Sequence, residues 1–358
     1  MALVSRDGNK IIIHVQVYEK DRISQVPGAN WDRALRAWRA PLSWPTCLVL
    51  RGLFGNTLEI DESLTEWSWQ EYQDRIKPAL DIRDVMALPA DHEMAPLLDK
   101  IEHGSDLKLK SYQRADAAFM ALSRQALLAN DVGLGKSPVT IRALQLLQEM
   151  GQNPFPALVV CPNSLKYTVW EKEFARWAPE LTVQVVDGPI AKRRKQLKET
   201  ADVFVVNWEL LRIHSRLAPY GSGRLTPKQK EPKELNELGH RTIVMDEAHR
   251  LGAVGSVKRG DERVPKSLQA QAAWAVAHQA EFRFALTGTP IADHVGDLWG
   301  LEHGVLPDWF PARTKYLDRY AQVTLSFWGG TEITGLNPAN EAEFHKVVDP
   351  TFRRIPKK

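Results

Sequence analysis

The sequence predicts an α/β protein in which a doubly wound parallel sheet follows a small α+β domain. Three observations predict it. Six near-continuous apolar runs, 126–129, 157–161, 183–186, 203–206, 242–245 and 284–286, lack polar alternation, as strands buried on both faces must. Helical stretches such as Val139–Glu149 and Lys166–Trp177 lie between them and set the rhythm of βαβ units. Ahead of them the pattern changes, with alternation over Ile11–Tyr18 and tryptophans at 31, 38, 44, 67 and 69. The expected organisation is an accessory domain over 1–85, a connector over 86–105 carrying Pro89 and Pro96, and the doubly wound domain over 106–358. Two Pro-, Gly- and charge-rich stretches, Ala218–His240 and Gly252–Lys266, are expected to be mobile insertions.

Composition narrows the function classes. Among 358 residues, 44% hydrophobic and 25% charged content excludes wholesale disorder. With 47 basic against 44 acidic residues, attraction to nucleic acid must come from local patches. Cys47 and Cys161 are too few and too far apart for a disulfide framework or the usual zinc spacing, which fits a reducing cytosol. The first ten residues have no apolar core of a signal peptide, and runs such as Ile11–Ile13 are far shorter than the about 20 residues of a membrane span. The expected location is the cytoplasm, without membrane attachment.

The first chemical motif lies between the run 126–129 and the helix from Val139. It reads Asn130-Asp131-Val132-Gly133-Leu134-Gly135-Lys136-Ser137. Gly133 and Gly135 let main-chain amides turn onto phosphates, Lys136 supplies a point charge, and Ser137 offers a hydroxyl to magnesium. The helix N-terminus adds partial positive charge, and Pro138 falls in the first turn, where no amide bond is lost. Asn130 replaces the usual first glycine, as a residue that tolerates left-handed dihedrals better than most. Read alone, Gly-Lys-Ser is a helix-capping turn; the strand before it and the helix after it favour a phosphate loop over Asn130–Ser137.

The second motif ends a buried run: Thr242-Ile243-Val244-Met245 is followed by Asp246-Glu247-Ala248-His249. Two adjacent acids at the carboxyl end of such a strand stand on the usual ligand edge of the sheet. Asp246 is expected to hold Mg2+, directly or through water, and Glu247 to orient the water attacking the γ-phosphate. Lys136 and the acidic pair should converge from neighbouring strand tips onto one magnesium-nucleotide. The third motif is Leu286-Thr287-Gly288-Thr289-Pro290-Ile291, whose hydroxyls are placed to bond the acidic pair and sense the γ-phosphate.

Taken in order, these pieces resemble the superfamily 2 helicase-like ATPases of the Swi/Snf type, over residues 105–358. The resemblance implies a RecA-like first lobe that binds ATP and Mg2+. Tyr112-Gln113 looks like the family's adenine-reading pair, with Gln113 on the adenine edge. Pro162-Asn163-Ser164-Leu165 and Asn207-Trp208-Glu209 are similar to its DNA-backbone motifs, so Ser164 and Asn207 are expected on phosphates. Arg353-Arg354 resembles the stretch closing the first lobe and is expected on DNA. His249, with Thr287 and Thr289, takes the family role of coupling the two sites. Trp170, Phe174 and Trp177 recur at i, i+4 and i+7 and are expected to pack. Lys192-Arg193-Arg194-Lys195 is a solvated helix face or a track along a duplex.

In the family a second lobe supplies arginines worth about 10³ to 10⁵ in rate, so residues 1–358 alone are expected to hydrolyse ATP poorly and to need a second-lobe helicase chain. The N-terminal stretch Val26–Asp32 with Arg36–Leu42 is similar to the HARP-like domain of annealing helicases, implying recognition of double-stranded or branched DNA. Arg33, Arg36 and Arg39 beside Trp31 and Trp38 would carry it, unless the tryptophans are simply the core of a short domain. The expected function is DNA translocation in replication or repair, in a bacterial cell or encoded by its phages. Against it stands a nucleotide-controlled DNA-binding adaptor without turnover, and further off the motor part of a restriction or nuclease assembly.

Overall fold

Alternation in the first residues places Ala2, Val4, Ile11 and Ile13 on one face, and that face closes a core. The computed structural model describes residues 2–217, 225–252, 256–259, 262–265, 267–291, 295–325 and 331–357. Strands β1 (Ala2–Asp7), β2 (Lys10–His14), β3 (Asn30–Asp32), β4 (Ala37–Pro41) and β5 (Leu58–Ile60) form a sheet of order β3-β4-β2-β1-β5. Neighbours are antiparallel except β5, which runs parallel to β1. Helix Trp44–Phe54 starts where the Ser43 side chain accepts from Thr46 N, and helix Glu62–Glu71 where Asp61 accepts from Leu64 N. Val49, Leu50, Phe54 and Leu64 from these helices join Ile11, Ile13, Val26 and Ala40 in a core.

The second sheet is parallel throughout, because each of its strands is covered on both faces and is reached by a crossover. Its strands are β6 (Gln125–Leu128), β7 (Ala157–Cys161), β8 (Val183–Val185), β9 (Val203–Asn207) and β10 (Thr242–Asp246). After a short hairpin of β11 (Ser256–Arg259) and β12 (Glu262–Pro265) comes β13 (Phe282–Leu286). All six expected runs are strands, displaced by no more than two residues at either end. Helix Ser111–Ser123 is buried from Ala115 onward, and Lys136–Glu149 carries buried Val139, Ile141, Leu144 and Leu147. Lys166–Trp170 is π-helical and runs into the α-helix Glu171–Trp177, whose stripe buries Trp170 and Phe174 as expected of packing.

The chain then leaves this sheet. Residues 291–350, expected within the ATP-binding domain, group with 1–80 in one compact unit, and Asp81–Pro290 with Thr351–Lys358 in the other. In the first unit helix Glu341–Val348 packs on helix Trp44–Phe54, and Arg319 forks onto Glu343 at 2.6 and 2.5 Å. A Cβ on Gly28, whose φ is +72°, would stand 2.8 Å from Pro311 Cγ, so only glycine lets these segments approach. The hairpin β14 (Ala321–Leu325) and β15 (Thr331–Leu336) belongs here too. The chain returns to the parallel sheet as β16 (Phe352–Arg353), a strand the apolar pattern did not announce. The final order is β16-β6-β13-β10-β7-β9-β8.

Of the stretches expected as mobile insertions, residues 218–224, 253–255, 260, 261 and 266 lie outside the described residues. The described part of the first holds a single helical turn, Pro227–Lys230, and that of the second the β11–β12 hairpin. Cys47 and Cys161 are both free thiols.

Candidate nucleotide site

The site is built at the carboxyl edge of β6, β13 and β10, the edge where doubly wound sheets hold ligands. Beyond β6 the loop turns on Gly133 and Gly135, at φ +88° and +78°, and runs into helix Lys136–Glu149. Gly135 sits at a φ that strains any side chain, and a Cβ there would also displace the Gln113 amide. Lys136 Nζ folds over the loop and donates to the Asn130 carbonyl at 2.8 Å and the Asp131 carbonyl at 3.5 Å. Gln113 lies against the same loop: Nε2 donates to Leu134 O at 3.1 Å while Oε1 accepts from Lys110 N at 2.9 Å. Tyr112 OH also donates to Leu134 O, at 3.3 Å. Ser137 stands half-buried in the first helical turn.

Asn130 corrects an expectation. It is absent from the residues with positive φ, so glycine is not replaced there for its backbone. Its side chain is fully buried and spoken for: Nδ2 donates to Asp116 Oδ2 at 2.7 Å, and Oδ1 accepts from Ile355 N at 2.8 Å. Asn130 therefore braces the loop from behind and turns no side-chain atom to a phosphate. Asp131 is similarly engaged, accepting from Lys357 N at 2.8 Å, with Arg354 Nη2 3.7 Å away.

The acidic pair closes β10. Both oxygens of Asp246 have donors, Trp170 Nε1 at 2.9 Å and Glu247 N at 3.0 Å, and Trp208 Nε1 donates to its carbonyl at 2.8 Å. Burial pushes the Asp246 carboxyl above the ordinary range, with the indole hydrogen bond opposing. Glu247 adopts φ +53°, an unusual conformation for a non-glycine residue and one that clusters at functional sites. Its carboxylate pairs with His249 Nδ1 at 3.2 Å, and that bond holds its pKa below the usual value.

Lys136 feels Glu247, Asp246 and Asp131 as opposing negative charges, while partial burial, the larger effect, draws its pKa down. The lysine and the acids thus share one field. They do not come from adjacent strands, as expected: β13 lies between β6 and β10. The loop after β13 fills that gap. Gly288 approaches the phosphate loop so closely that a Cβ would stand 3.0 Å from Val132 Cγ2. Thr287 is buried, and its hydroxyl accepts from Thr289 N at 3.1 Å, capping its own turn. Among the described residues it makes no bond to the acidic pair, so the third motif meets the site through its glycine.

Expected DNA residues fare unequally. Ser164, exposed after β7, and Asn207, ending β9, stand on the same carboxyl edge, since Cys161 and Asn207 pair in register. Asn207 is 8% exposed, with Nδ2 bound to Glu209 Oε2 at 2.6 Å. Arg353, at 1% exposure, is locked to Asp116 at 2.5 Å and has no surface to offer DNA. Arg354 is half exposed. In the basic helix Ile190–Gln196, Arg193 donates to His214 at 3.1 Å and Arg194 to Glu234 at 2.7 Å, leaving Lys192 and Lys195 outward. Sequence reading missed Asp116, Trp170 as a donor to Asp246, and Trp208. A lone acid in the apolar stretch 115–122 was the available signal for the first.

A model of the SNF2-related domain matches residues 61–357. The chain is 31% identical over 216 residues to Protein CHROMATIN REMODELING 19 of Arabidopsis thaliana, covering 56% of this chain and 25% of that one. It is 29% identical over 240 residues to Transcription regulatory protein SNF2 of Saccharomyces cerevisiae, covering 65% of this chain and 12% of that protein. It therefore spans about a quarter or less of the length of these relatives. A Sulfolobus solfataricus SWI2/SNF2 ATPase core in complex with dsDNA shares the fold, with a TM-score of 0.52 at 24% identity over 70% of this chain and 45% of that one. Among the described residues, no helix is long and apolar enough to cross a membrane, and no group of three or more His, Cys, Asp or Glu is arranged to hold a metal ion.

Proposed function

The chain belongs to the SNF2-related family, and from that premise we propose that it is the ATP-binding lobe of a DNA-dependent ATPase that moves along or remodels double-stranded DNA. The observation that carries the reading is the meeting of Lys136 with Asp246 and Glu247 in one field at the carboxyl edge of a parallel sheet. Lys136 and the amides around Gly133 and Gly135 bind phosphates, and Gln113 reads the adenine. Glu247, held ionised by His249, takes the role of orienting the attacking water. His249, paired with Glu247, and the loop carrying Thr287 and Thr289, whose Gly288 lies against the phosphate loop, pass the state of this site to the DNA side.

Magnesium favours hard oxygen donors, and the Ser137 hydroxyl and the Asp246 carboxylate, whose two oxygens also accept from Trp170 Nε1 and Glu247 N, are assigned to hold it. When bound it neutralises charge on the phosphate oxygens. DNA meets the lobe at Ser164 and Asn207, with Lys192 and Lys195 as further phosphate partners. The N-terminal unit is proposed as the part that recognises DNA structure, in the manner of a HARP-like domain. Supporting it, the β3–β4 hairpin exposes half of Trp31, with Arg33 and Arg36 in its turn, although Arg39 is engaged by Asp32 at 3.3 Å. The work served is replication or repair.

Full turnover needs arginines from a second lobe. The test is DNA-stimulated ATP hydrolysis by residues 1–358 alone and mixed with the second lobe of a relative, with Glu247→Gln as control. Stimulation of about 10³-fold or more in the mixture, lost with Glu247→Gln, is the expected result. Tight ATP-dependent DNA binding with no turnover in either sample would instead favour a nucleotide-controlled adaptor.

A further inference from the structure

Behind the phosphate loop runs a buried polar chain that the nucleotide reading leaves unexplained. Asp116, inside helix Ser111–Ser123, is fully buried. One of its oxygens accepts from Arg353 Nε at 2.5 Å and the other from Asn130 Nδ2 at 2.7 Å. The guanidinium spends its other donors on carbonyls: Nη1 on Ile82 at 2.6 Å and on Arg83, Nη2 on Val85 at 2.7 Å. Alongside, the main chain of β16 and its extension zips onto the phosphate strand and loop. Leu127 N reaches Thr351 O at 2.7 Å, Ala129 N reaches Arg353 O at 2.8 Å, and Asp131 N reaches Ile355 O at 3.2 Å.

A buried ion pair is a poor way to gain stability, because desolvation takes back most of its attraction and an apolar pair of similar volume does as well. What it supplies is a fixed geometry. Here both Asp116 oxygens and every guanidinium nitrogen have a partner, and the chain ends on Asn130, whose carbonyl holds Lys136 Nζ at 2.8 Å. A shift of Arg353 or Asp116 is therefore passed through one side-chain amide to the peptide that seats the phosphate-binding lysine. We infer that Asp116, Asn130 and Arg353 are positioning residues that set nucleotide affinity by fixing the phosphate loop from behind. This rests on the reading of Lys136 as a phosphate ligand.

The test is calorimetric titration of the full chain with Mg-ADP, each variant being checked for a cooperative thermal transition and titrated well below it. Asn130→Ala keeps the ion pair and cuts only its link to the loop; it is expected to weaken ADP binding about tenfold, the effect of one buried hydrogen bond. Asp116→Asn is expected to weaken it at least as much. The exchange Asp116→Asn with Asn130→Asp keeps one acid in the network and an acceptor for Ile355 N, and it should return affinity to within about threefold of the parent. A merely structural role lowers the melting temperature but leaves the folded fraction binding ADP normally. The inference is overturned if Asn130→Ala binds ADP within twofold of the parent, or if the exchange binds no better than its single components. Retention of ADP affinity by Lys136→Ala would sink the nucleotide reading itself, whatever the network variants do.

Discussion

Each of the two compact units buries an acid completely, and they deal with it in opposite ways. Asp116 in the parallel-sheet unit has a guanidinium on one oxygen and an amide on the other. Glu302, in helix Val295–Val305 of the other unit, is equally buried, yet among the described residues neither of its oxygens has a hydrogen-bond partner. Burial alone raises its pKa to about 8, so at neutral pH it is mostly protonated. The lesson is that burial does not fix the charge of a carboxyl; its neighbours do. Burial pushes both carboxyls up; at Asp116 the Arg353 guanidinium and the Asn130 amide oppose the rise, and at Glu302 nothing among the described residues does.

The most severe way to break this contrast is to make the first acid resemble the second. Arg353→Met strands Asp116 without its cation and is expected to cost about 3–5 kcal/mol in urea unfolding, the penalty of an uncompensated buried charge. A loss below about 1 kcal/mol would mean that the pair is as dispensable as a surface one.

The second experiment titrates the other acid. The folded pKa of Glu302, about 8, is raised above the unfolded value of about 4.3, so the folded state holds the proton longer. Its contribution to stability is complete below about pH 4.3 and is lost as pH rises towards 8, by up to about 1.4 kcal/mol per pH unit. Subtracting the urea unfolding free energy of Glu302→Gln from that of the parent at pH 5, 6, 7 and 8 should leave a falling line. A flat difference would show that Glu302 has found a partner.

The mildest case sharpens the comparison from outside. Lys100 and Glu149 are paired at 2.5 Å, as close as Arg353 and Asp116, but the lysine side chain is 68% exposed. Lys100→Ala is expected to change unfolding free energy by no more than about 1 kcal/mol. Equal distances would then differ severalfold in consequence, and the difference would be solvent.

How much of this could be read before the coordinates depended on range in sequence. The parallel sheet was visible because each strand announces itself locally as an apolar run, and the phosphate loop because its glycines, lysine and flanking elements are contiguous. The acidic pair was placed on the correct edge, since a strand's carboxyl end follows from its direction. What escaped depends on distant residues. Asp116 and Arg353 are 237 positions apart, and nothing near Arg353 distinguishes a buried cation from one that faces DNA. Asn130 was misread for a related reason: its neighbours suggest a backbone role, and only the partners Asp116 and Ile355 reveal a side-chain one. The indole donors to Asp246 were hidden by an apolar periodicity that was correct as far as it went. Trp170 is buried packing and also a hydrogen-bond donor. The grouping of 291–350 with the N-terminal unit left no local trace at all.

The detour between β13 and β16 has a consequence for how the protein is made. While the ribosome extends the chain, β6 can pair with β13 once residue 286 has emerged, but its other flank stays open through the following sixty or so residues. During that interval the strand that carries the phosphate loop is a sheet edge, with Asp116 buried and its cation not yet synthesised. Closing so distant a pair is slow, and an open apolar edge invites pairing with other nascent chains. A truncation or ribosome stall before Thr351 should therefore yield an aggregating chain, even though every residue of the Asn130–Ser137 loop and the Asp246–Glu247 pair is already in place.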